Sequence, residues 1–127
     1  MESAISNAQI WTGRVLSGLA TLFFLFDGGV KLAKPQFVVK ASVQDLGYPE
    51  SEIVGIGLTL IACTLLYVFP RTSVLGAILL TGYLGGAIAS QIRVQAPIFN
   101  IVFAFIFACI VWAGLWLRDP RVRNLLP

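Results

Sequence analysis

Histidine is missing altogether from the 127 residues. Its absence excludes a histidine-ligated haem, zinc or iron site and a Ser-His-Asp triad. Cysteine is scarce as well. Cys63 and Cys109 are the only two, far apart in sequence and without a C-x-x-C pair, so neither a thioredoxin-like motif nor a disulfide framework fits. No metal site is expected. Charged residues make up 12% of the chain, about half of the roughly 25% usual in soluble proteins. The net charge of +3 forms no basic patch, so nucleic acid is not an expected partner.

Apolar residues take up what polar ones leave, at 57% of the chain. A water-soluble fold of this length buries only about two thirds of the surface its unfolded chain exposes, which would leave too much apolar surface in water. Length allows one ordinary domain, which usually takes about 100–200 residues. A soluble enzyme and a disordered tail are therefore excluded, and a single membrane-embedded domain over residues 1–127 remains.

A helix needs about 20 mostly apolar residues to cross the hydrocarbon core. Four stretches meet that requirement: Trp11–Leu32, Ile53–Phe69, Ser73–Ile92 and Ile98–Leu117. They predict an all-α membrane protein, an antiparallel bundle of four transmembrane helices. Pro70 and Arg71 separate the second span from the third, and Pro97 stands where the fourth should begin, a good first-turn position. No small-residue cleavage site follows the first stretch, so it reads as a retained helix and not a signal peptide. The longer connection, residues 33–52, carries Phe37, Val38, Val39, Val43 and Leu46 at helical spacing. A short helix on the membrane surface and an ordinary ordered loop both fit it. Gly47-Tyr48-Pro49 reads as the turn into the second span.

An even number of crossings puts both termini and the Pro70–Thr72 turn on one side. That side carries Arg14, Arg71, Arg118, Arg121 and Arg123 against Glu2 and Asp119. The other carries Lys31, Lys34, Lys40 and Arg93 against Asp27, Asp45, Glu50 and Glu52. Only lysine and arginine count in the positive-inside rule. The C-terminal arginine cluster points to cytoplasmic termini in an inner membrane of bacterial type.

Ionisable groups in spanning helices are costly and suggest function by default. Asp27 and Lys31 sit one turn apart, close enough to pair, although a structural pair with lysine reaching the interface is an equal alternative. Helical projection at about 100° per residue aligns Gly13, Ser17, Thr21, Gly28 and Lys31 on the first span, with Asp27 at the edge. On the second span it aligns Glu52, Gly55, Thr59 and Cys63. On the third, Gly82, Gly86, Ala89 and Arg93 form a seam with Tyr83 and Ser90 beside it, and Asn100 opens the fourth. Asp27, Lys31, Glu52, Gln91, Arg93 and Asn100 all belong to helix ends on one side, so a polar pocket opening there is expected. The Gly82-x-x-x-Gly86 motif reads as a helix-packing device. Tyr83 suits a pocket wall or the core equally. Cys63 and Cys109 project in different directions and do not read as a redox pair.

The stretch LGAILLTGYLGGAIASQIR (Leu75–Arg93), with FDGGVKL (Phe26–Leu32) and LGYP (Leu46–Pro49), resembles the DoxX-like family of small membrane proteins. The resemblance runs roughly from Ser17 to Leu117 and implies a four-helix antiparallel bundle. The family takes its name from a subunit of a thiosulfate:quinone oxidoreductase, and relatives occur in membrane redox assemblies and among assembly chaperones. Relatives carry histidine where Gln91 stands, so the resemblance does not extend a proton relay to that position.

Three functional readings follow. In the first, the bundle binds a quinone or similar hydrophobic small molecule as a small subunit of a redox assembly. Asp27 and Lys31 orient the ligand, while Tyr83, Ser90, Gln91, Arg93 and Asn100 line its site. In the second, Asp27 or Glu52 serves as a general acid with Lys31 or Arg93 steadying negative charge, for isomerisation or epoxide hydration of a lipophilic substrate. In the third, the helix faces dock a larger membrane partner or a second copy.

Overall fold

The computed structural model describes residues 7–33 and 35–125. Glu2 and Lys34, both counted in the charge comparison, lie outside the described residues. Among the described residues, four helices are long and apolar enough to cross a membrane: α1 (Asn7–Ala33), α3 (Ile53–Val68, a span from Glu50 with the turn before it), α4 (Ser73–Arg93) and α5 (Ile98–Arg118). The chain is an integral membrane protein of the all-α class, with no strand among the described residues. The long connection does hold helix: α2 (Gln36–Val39) runs on into a π-helical turn, Lys40–Asp45. Pro35 starts α2 in extended geometry and Val38 is buried beneath it. A 3₁₀ turn, Glu50–Glu52, leads into α3, and a short α6 (Pro120–Leu125) follows α5.

The spanning helices form a ring in the order α1, α3, α4, α5, each packed on its two neighbours. Neighbours run antiparallel. The start of α1 meets the end of α5 at Gly13 and Gly114, and its end meets the start of α3 at Gly28 and Gly57. Between apolar helices in lipid there is no hydrophobic driving force, so association depends on close packing and hydrogen bonds. Glycine supplies the closeness. A methyl group added at Gly13 would come within 2.7 Å of the Gly114 carbonyl, and one at Gly57 within 2.9 Å of the Gly28 carbonyl. At Gly76 it would run into the Tyr67 backbone, where α3 turns into α4.

The Gly82-x-x-x-Gly86 motif does not pack the bundle. An added methyl at Gly82 or Gly86 would meet nothing within 4 Å. Both face open space, so the packing expectation is corrected.

Hydroxyls inside the spans are satisfied locally. Thr59, Thr64 and Ser90 each donate to the carbonyl four residues earlier, as hydroxyls in an apolar medium must find a partner. Where α1, α3 and α5 meet near the termini, a longer chain of bonds runs through the core. Arg118 Nε donates to Ser17 Oγ at 3.0 Å, and Tyr67 Oη donates to the Val111 carbonyl at 2.7 Å. Each hydroxyl has one proton, so Ser17 donates across the 2.8 Å contact to Tyr67. The Arg118 guanidinium also lies over the Tyr67 ring, 5.1 Å from its centroid. Nearby, Arg121 chelates Asp119 and reaches the Pro70 carbonyl, clipping the end of α5 to the α3–α4 turn. The neighbouring guanidinium holds the Asp119 carboxyl below the usual carboxylate range.

Candidate functional site

Ala20, Leu60, Tyr67, Leu80, Val111 and Leu115 are fully buried and fill the bundle from its middle toward the termini. Toward the long connection α1 and α3 stay in contact through Gly28 and Gly57, but the centre of the bundle is no longer filled. A cavity of about 720 Å³ opens there among all four spanning helices, inside the roughly 300–1,000 Å³ range of small-molecule sites.

Its walls differ in chemistry. The α1–α5 wall is aromatic: Phe23 stacks on Phe107 with ring centroids 4.4 Å apart, and Phe103 lies 5.0 Å from Phe107. The α3–α4 wall carries Gly55, Thr59, Gly82, Tyr83, Gly86 and Ser90, small residues interrupted by hydroxyls. Thr59 and Ser90 spend their protons on backbone carbonyls, which leaves them as acceptors. The Tyr83 hydroxyl makes no hydrogen bond to any described residue.

The mouth is polar. Lys31 Nζ sits 2.7 Å from Asp27 Oδ2, with the lysine side chain 18% exposed and the aspartate 37%. Both line the cavity, so the pair is partly wet. Lysine has three donors, and two remain after Asp27 takes one. Across the mouth, Asn100 Nδ2 donates to Gln91 Oε1 at 3.2 Å. Glu52 lines the rim and is exposed. The segment Leu46–Pro49 crosses this end as a strap. Tyr48 donates to Ser90 Oγ, whose own proton goes to the Gly86 carbonyl, and Arg93 donates to the Leu46 carbonyl. Gly47 holds a φ of 82° beside the Arg93 guanidinium, left-handed backbone that glycine adopts without strain.

The structure thus gathers Asp27, Lys31, Glu52, Tyr83, Ser90, Gln91 and Asn100 around one cavity. Arg93 is not with them. It is exposed and turned to the strap, which corrects the expectation that it lines the ligand site, and neither it nor Gln91 bonds the Asp27–Lys31 pair. Cys63 is buried in the core and Cys109 is exposed, both as free thiols. Sequence reasoning passed over the phenylalanine wall and the strap. Phe99, Phe103 and Phe107 recur every four residues on α5, the one signal that could have found this wall, whereas Phe23 joins them from α1.

The family model described as the DoxX-like family matches residues 15–114. No curated protein and no solved structure matches the chain.

Proposed function

The chain belongs to the DoxX-like family, and from that premise we propose that it binds a quinone, or a closely similar hydrophobic ring compound, in the hollow half of its bundle. The cavity is the observation that carries this reading: about 720 Å³, flat aromatic rings on one side and hydroxyls on the other. Rings stack favourably on such a wall. The free Tyr83 hydroxyl offers a proton to a carbonyl at mid-depth, and the two spare Lys31 donors offer protons at the mouth. Two donor positions at different depths suit a ring that bears two oxygens. Asp27 holds Lys31 in place and cancels its charge, which favours a neutral ligand. The quinone supplies two-electron redox chemistry when bound, whereas this chain orients it and keeps water from its deeper end.

The sequence has no histidine and its two cysteines are placed apart, so electrons would come from another subunit of a membrane redox assembly. We place the termini in the cytoplasm of a bacterial-type inner membrane, on the strength of the arginines at that end.

Thermal denaturation in detergent tests the reading. A ligand present at 100 times its Kd adds about 2.7 kcal/mol to the folded state, a rise of several degrees. Tetramethyl-benzoquinone should raise the melting temperature of the wild type, and Tyr83→Phe should weaken the rise. No shift at any soluble concentration would overturn the proposal.

A further inference from the structure

We propose that the cavity is entered sideways from the bilayer, through a window between α3 and α4, and that its natural ligand is therefore a membrane lipid with a tail. This rests on the cavity reading above. On α4 the buried Leu84 marks the inward face. At about 100° per residue, Gly82 and Gly86 each point about 160° away from it. On α3, Gly55 points about 140° away from the buried Leu60. Residues on those outer flanks ought to face lipid alone, yet all three glycines line the cavity. The cavity therefore continues through the gap between the two helices.

The gap has a frame. Its lower edge is the close contact of Gly76 with Tyr67, where α3 and α4 meet. Its upper edge is the strap, which leaves the π-helical turn, is bonded to Ser90 and Arg93 of α4, and only then starts α3. The sides are Gly55 and Thr59 on one helix and Gly82 and Gly86 on the other. An added methyl at any of the three glycines would meet nothing within 4 Å, so the opening exists because side chains are absent. The strap lies across the aqueous end, while no described residue covers the lipid-facing side at Gly55, Gly82 and Gly86. A ring seated against the phenylalanine wall would leave its tail in the window, among lipid chains.

Site-directed labelling in phosphatidylcholine vesicles tests this without any quinone. In a Cys109→Ala background, Thr59→Cys places a thiol inside the window. A long-chain alkyl methanethiosulfonate should label it at least tenfold faster than a charged one. Gly82→Leu with Gly86→Leu should slow the alkyl reagent at least fivefold, and the two alanine changes should slow it less. Equal rates for the two reagents, or leucines without effect, would overturn the window. So would a dimer in which both reagents are slow, because a second copy would then cover α4. A failed quinone titration alongside the expected labelling pattern would overturn the choice of quinone and leave the window standing.

Discussion

The two halves of the bundle use the same four helices and the same residue types to opposite ends. Near the termini, glycine brings backbones together: an added methyl at Gly114 would lie 2.5 Å from Ser17 Oγ. Near the long connection glycine still joins α1 to α3 at Gly28 and Gly57, but on the α3–α4 side it keeps space open at Gly55, Gly82 and Gly86. Tyrosine divides in the same way. Tyr67 is fully buried with its hydroxyl bonded to Ser17 and Val111, whereas Tyr83 presents a free hydroxyl to the cavity. A small-residue motif alone does not tell packing from vacancy. What surrounds the missing Cβ decides.

Glycine substitutions should break the comparison most forcefully. Gly114→Ala drives a methyl into Ser17 and the α1 backbone, so it should cost about 1–3 kcal/mol through overpacking, seen as a lower melting temperature in detergent. Gly76→Ala meets backbone that cannot rotate away and should do at least as much harm. Next comes Tyr67→Phe, which removes both bonds of a buried hydroxyl and takes from Ser17 the acceptor of its proton, for about 1–3 kcal/mol. Its counterpart in the other half, Tyr83→Phe, should leave stability within about 0.5 kcal/mol.

The ion pair at the mouth sharpens the contrast further. Lys31→Met alone leaves Asp27 unpaired in a half-buried site, so it should be less stable than Asp27→Asn with Lys31→Met. A fully buried pair would lose about 3–5 kcal/mol in that way, and this partly wet one should lose a fraction of it. Equal melting temperatures would mean that Lys31 is satisfied by water alone. The smallest effect is expected from acid at the terminal end. Arg121 lowers the Asp119 carboxyl from its ordinary value, so the stability it confers is complete above the unfolded value of about 3.9 and is lost as pH falls through the lower folded value. Asp119→Asn should lack that acid-linked loss when melting is followed from about pH 6 downward.

Much of this architecture is legible in the residues, for a physical reason. Crossing a bilayer demands about 20 apolar residues, so the spans announce themselves, and the cost of burying charge draws Asp27, Lys31 and Glu52 to helix ends on one side. Helical periodicity reports faces but not how far neighbouring helices splay. Gly82 and Gly86 therefore looked like a packing seam, although the helices part there. Arg93 looked like a pocket cation because its seam passes the pocket. Its length instead carries the guanidinium to the Leu46 carbonyl, a partner set by the path of the strap. Ser17, Tyr67 and Arg118, which lock the terminal half, come from three helices, and no local spacing joins them.

The most direct test of the central claim sets one leucine in each half. Gly86→Leu and Gly114→Leu would be melted in detergent with and without tetramethyl-benzoquinone. A hollow half over a packed one predicts that Gly86→Leu keeps the melting temperature of the wild type but loses the quinone-induced rise, while Gly114→Leu fails to fold. Comparable destabilisation by the two substitutions would contradict it, as would a Gly86→Leu protein that responds to the quinone as fully as the wild type.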